Sequence, residues 1–159
     1  MSNDYFLKID GIPGESTNAR HHGEIDLVSF SFGLQSGTGH TPGVGTGQVA
    51  FQDLHFTARI NKASPKLFLA CASGQHVKSA VLTGERSNGQ KFEKFLEVDL
   101  RDVLVSTYQA SGHQGQEPPT DEVSLGFRTI KFTDISFTPG GTAGHTETAG
   151  WDLAANRKI

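Results

Sequence analysis

Residues 49–74, VAFQDLHFTARINKASPKLFLACASG, constrain the fold more than any other stretch. Leu54, Phe56, Ala58 and Ile60 alternate with mainly polar residues. That period of two marks a half-buried strand. Phe51 is out of step with the alternation, which predicts a β-bulge near Gln52-Asp53. The signal then changes. Ser64 suits an N-cap and Pro65 the first helical position, where its missing N–H costs nothing. Leu67, Phe68 and Cys71 fall on one helical face, and Gly74 can take the left-handed conformation that ends a helix. The prediction is a long strand feeding one short helix.

The remaining apolar pattern is strand-like. Tyr5, Leu7 and Ile9 alternate from almost the first residue. In 24–33, EIDLVSFSFG, Val28, Phe30 and Phe32 share one parity while Ser29 and Ser31 share the other. Ile25 and Leu27 belong to the serine parity, so the buried side is expected to change along this strand. Ser29 and Ser31 are expected to look away from the core. Residues 76–86 and 91–101 read as a hairpin around Asn88-Gly89, a pair suited to a type I′ turn. Residues 102–111 continue the second strand after a bend near Arg101-Asp102. In 122–137 the parity changes at Arg128-Thr129, which predicts a bulge or corner. Pro139-Gly140-Gly141 opens a polar loop, and Trp151 is expected to anchor a short closing strand or turn. With nineteen glycines and eleven phenylalanines, the chain reads as turn-rich β with an aromatic core. The fold class expected is mainly β, a barrel of two packed antiparallel sheets with one short α-helix, as a single domain over 1–159.

Charge and composition exclude several partners. Net charge is −3 with no basic run, which argues against nucleic acid. No apolar run is long enough for membrane insertion. The start, MSNDYFLKID, lacks a basic-then-apolar leader, so any export is expected to need no cleaved signal. The single Cys71 cannot form an internal disulfide and is expected to be a packing residue.

No chemistry emerges from motif spacing. His21-His22 lie in the polar stretch 15–23, which reads as a solvated loop. Glu97, Asp99 and Arg101 read as one wet sheet face. No nucleophile elbow, metal-ligand spacing or dinucleotide fingerprint is present. No catalytic, cofactor-binding or metal residue is therefore assigned, and the chain is not expected to be an enzyme. Residues 35–48, QSGTGHTPGVGTGQ, lack a large apolar side chain and read as a flexible loop that orders against a partner.

Four segments in order, YFLKIDGIPGES, EIDLVSFSFG, FQDLHFTARINKASPKLFLACASG and the terminal GWD with Asn156-Arg157-Lys158, resemble the Hcp family. This is the haemolysin-coregulated tube protein of bacterial type VI secretion systems. The resemblance runs from Tyr5 to Lys158. Many members carry Trp at the positions of Phe30 and Phe32, and aromatic character is kept here. The resemblance implies homo-hexameric rings that stack into an inner tube. It implies partners in a sheath, a spike and small effector proteins. It implies assembly in the cytoplasm followed by secretion to the extracellular space or a target cell. The ring-stacking loop of the family matches Gln35–Gln48, and within it Gly37, Thr38, Gly39, His40, Thr41, Pro42, Gly43, Val44, Gly45 and Thr46 are the expected stacking residues. Ser31, with its neighbour Ser29, matches the cargo-facing wall. The competing reading is a monomeric β-barrel that binds a small ligand in a closed pocket.

Overall fold

The computed structural model describes residues 2–37, 49–88, 91–138 and 143–159. In chain order the elements are β1 (Asn3–Ile9), β2 (Ile25–Ser31), β3 (Leu34–Gln35), β4 (Ala50–Phe51), β5 (Leu54–Arg59), α1 (Ser64–Ser73), β6 (His76–Asn88), β7 (Lys91–Ser111), β8 (Thr120–Phe137), β9 (Ala143–Asp152) and β10 (Arg157–Lys158). Six strands close on themselves in the order β8-β5-β2-β1-β6-β7, with β7 pairing back to β8. Every neighbouring pair is antiparallel. Closure removes the strand edges that an open sheet leaves exposed. A mainly β barrel with one short helix is what the sequence leads one to expect.

Two strands outrun the barrel. The first part of β8 pairs with β5, its later part pairs with β9, and β7 flanks both. The result is a wing of β7, β8 and β9. Both long strands switch their buried side at one place. Leu96, Val98 and Leu100 are buried before the switch in β7, and Val103 and Val105 after it. Asp102 sits between them with φ 53°, a left-handed value that Asp tolerates better than most residues. The register runs through unbroken, with Arg101 opposite Thr129 and Val103 opposite Phe127. The corner expected at Arg128-Thr129 is therefore shared by two strands and is not a bulge. The register shift in this pair lies between Val105 and Thr107.

A bulge also explains the parity change in β2. The β2–β5 register shifts between Leu27 and Ser29, so Val28 is the extra residue and stands 59% exposed. Ile25 and Leu27 before it and Phe30 after it all turn inward; Val28 does not join the Phe30 face as its parity predicts. A second bulge predicted at Gln52-Asp53 is instead a full break. There the chain leaves the β3–β4 ribbon, a separate two-stranded sheet, and enters the barrel as β5.

The interior is filled by Leu7, Ile25, Leu54, Phe56, Leu82, Val98 and Leu125, each essentially inaccessible. Each large side chain so buried contributes about 1.5–3 kcal/mol. Helix α1 buries Ser64, Leu67 and Ala70 against the barrel. Phe68, placed on that face by spacing, is 60% exposed, while Cys71 is half-buried. Gly74 ends the helix with φ 68°, as its position predicts. The N-cap position falls on Ala63 and carries no side-chain cap bond. Ser64 is thus the first helical residue and uses its hydroxyl elsewhere.

The segment expected as a polar loop after Pro139 is largely β9, ten residues long, with Trp151 near its end. Alternation could not find it, because its side chains are mostly exposed on both faces.

Candidate interaction surfaces

The barrel turns one polar face outward, and strand register sets its rows. Ser31, His55, Ser124 and Thr107 stand side by side across β2, β5, β8 and β7. Ser29, Thr57, Glu122 and Gln109 form the next row. Residues alternate sides along a strand, so the inward partners of these rows are Phe30, Phe56 and Val123. Ser29 and Ser31 are exposed, as expected. His55 Nδ1 lies 3.2 Å from Ser124 Oγ. This face offers hydroxyls, an amide, an imidazole and one carboxylate. These are small groups that exchange water for partner contacts at low cost.

Of the loop assigned to stacking, Gly37 is described and is half-buried; Thr38 to Thr46 lie outside the described residues. Glu97, Asp99 and Arg101 share the solvent-facing side expected of them. Lys94 Nζ donates to Glu97 at 2.6 Å, and Arg101 donates twice to Asp99, at 2.9 and 3.2 Å.

Two buried polar clusters escaped the sequence. Asp121 is fully buried on β8 and accepts hydrogen bonds from Ser64 Oγ and from Tyr108 OH, the latter at 2.6 Å. Ser64 Oγ in turn accepts the Asn61 N–H at 3.0 Å. The carboxylate therefore pins the start of α1 to the barrel. Burial, and then the adjacent Asp121, pushes the Tyr108 phenol up to about 12. The second cluster joins residues 64 positions apart. His21, read as solvated, is only 9% exposed. Its Nδ1 faces Glu24 Oε1 at 3.1 Å, and its Nε2 contacts Glu85 Oε2. Arg20 Nε holds the other Glu85 oxygen at 3.0 Å. Pairing across that sequence distance leaves no local signal.

An apolar cleft of about 280 Å³ lies between the β3–β4 ribbon and the wing, lined by residues that include Phe32, Leu34, Phe51, Phe132 and Trp151. It is open and sits outside the six-strand barrel. Among the described residues, no three His, Cys, Asp or Glu side chains are placed to hold a metal ion, and no helix is long and apolar enough to cross a membrane.

These features define a closed β-barrel with a filled interior, whose surfaces are its candidate sites. Comparison with known proteins supplies the particular class. Residues 6–133 match the family described as "Type VI secretion system effector, Hcp". Protein hcp1 of Pseudomonas aeruginosa is 36% identical over 98% of this chain and 98% of its own. The crystal structure of Hcp1 from Salmonella typhimurium covers both chains fully at 34% identity with TM-score 0.84. A structure described as that of a type six secretion system protein covers 99% of this chain and 100% of its own, at 28% identity and TM-score 0.90. The chain belongs to the Hcp family of type VI secretion proteins.

Proposed function

We propose that the chain is a non-enzymatic tube subunit. Six copies close into a ring, rings stack head to tail, and the tube is expelled with small effector proteins inside it. Full-length membership of the Hcp family carries this reading. The polar face supports it, since a wall of Ser29, Ser31, Thr57 and Ser124 is hydrophilic enough to hold a folded passenger weakly and release it. Head-to-tail stacking repeats one heterologous contact without closure, which yields a filament. Residues 37–46 are assigned that contact. Sheath and spike proteins are the other partners, and export follows assembly in the cytoplasm.

The rival reading, a monomeric ligand-binding barrel, needs a cavity inside the strands. The apolar core residues occupy that interior, and the cleft lies outside it. Negative-stain imaging of the purified chain is expected to give six-fold rings. A strictly monomeric species at tens of micromolar refutes the proposal. Deleting residues 37–46 is expected to leave rings intact and weaken their stacking. Loss of rings with the barrel still folded refutes that division of labour.

A further inference from the structure

The segment 13–24 folds back across the outer face of β1 and β6. Its backbone hydrogen bonds are internal: Gly14 N–H to Gly23 O at 2.7 Å, Gly23 N–H to Ser16 O at 2.9 Å and Ser16 N–H to Glu24 O at 2.9 Å. It is a preformed strap, and side chains fasten it to the barrel. On β1, Asp4, Phe6 and Lys8 point outward, yet Phe6 is only 4% exposed. The His21 ring lies flat on it, with centroids 4.2 Å apart and planes within 8°.

We propose that this strap is a pH-dependent clasp, closed by a doubly protonated His21 and opened by loss of that proton while the barrel stays folded. The geometry requires two donors. Nδ1 faces the Glu24 carboxylate and Nε2 the Glu85 carboxylate. A neutral imidazole has one N–H, so one contact would then set a bare nitrogen against a carboxylate. Closing the strap therefore takes up a proton that the open strap need not hold. Glu85 must also be ionised. Burial raises its pKa, but hydrogen bonds and charge from Arg20 and His21 outweigh this and hold it below the usual carboxylate range.

Other charges surround the clasp. From the strap come Arg20 and Glu24, with Arg20 also lying 3.9 Å from the centre of the Phe92 ring. On β1 Asp4 and Lys8 flank Phe6, and β2 sets Asp26 opposite it. On β7, Lys94 is opposite Glu85, and its ammonium is taken by Glu97. Glu93, also on β7, is buried.

Linkage sets the signs. Stability gained from a protonated histidine is present at low pH and lost as pH rises through the folded-state titration. Stability from a depressed carboxylate is lost as pH falls through its own. The clasp is thus closed between the two and opens on the alkaline side; histidine switches in general act over about pH 5–8. Opening uncovers Phe6 and Thr83 and changes the surface shown to a neighbouring molecule.

The test is NMR on the intact chain across that range, following the His21 and Phe6 ring signals and amide protection corrected for intrinsic exchange. Rising pH is expected to disperse the stacked-ring shifts. The closed-to-open ratio of the strap should fall by up to about tenfold per pH unit while Leu7, Phe56 and Val98 stay protected. His21→Phe keeps a ring on Phe6 but cannot titrate, and should abolish the pH dependence. Glu85→Gln should shift opening to lower pH. Strap signals that do not change with pH overturn the proposal. So does a pH response that survives in His21→Phe, or a barrel that loses protection together with the strap.

Discussion

Asp121 offers the sharpest test of how the helix is held. Asp121→Ala removes a fully buried carboxylate and leaves two hydroxyls without their acceptor. The Ser64 hydroxyl is itself buried, so the loss there is a desolvated donor, about 1–3 kcal/mol. Tyr108 is half-buried and can turn to water, so its loss is nearer the net value of one hydrogen bond, about 0.5–1.5 kcal/mol. The small cavity left adds a little. Together these give about 2–4 kcal/mol of global stability, read from urea unfolding with an unchanged slope. The double variant with Ser64→Ala separates the causes. Once the donor is absent, removing its acceptor should cost at least about 1 kcal/mol less. A single-variant loss below about 1 kcal/mol, or full additivity with Ser64→Ala, refutes the pinning of α1 by this carboxylate.

Three further outcomes follow from the packing. Gly14→Ala should destabilise the strap, because a Cβ there would lie 2.5 Å from the Glu24 carbonyl oxygen; hydrogen exchange of the Ser16 and Gly23 amides is the readout. Trp151→Phe should cost under about 1 kcal/mol, since the buried indole Nε1–H has no partner to lose among the described residues, whereas Trp151→Ala should cost more by opening the cleft wall; urea unfolding compares them. Tyr108 has a folded-state pKa raised to about 12, so the stability it contributes is complete below the unfolded value of about 10 and lost between there and about 12. In alkaline unfolding, the parent's stability advantage over Tyr108→Phe should be constant below about pH 10 and shrink only in that window.

The sequence by itself determined the parts whose signals are local. Period-two alternation located β1, β5 and most of β7 and β8, because one buried face forces every second residue to be apolar. Pro65 and Gly74 bounded the helix through backbone conformation alone. Parity breaks showed where strands must change side, at Leu27–Ser29 and at Asp102, but not how. A bulge and a left-handed residue produce the same break in a one-dimensional pattern. Tertiary structure decided what depends on partners distant in the chain. It closed β7 onto β8, made a strand of the polar segment 143–152 by pairing it with β8, buried His21 against Glu85, and set Asp121 under Ser64. A buried charge is tolerated only beside its donors, and here Ser64 lies 57 residues from Asp121 and His21 lies 64 from Glu85, where spacing along the chain carries no information.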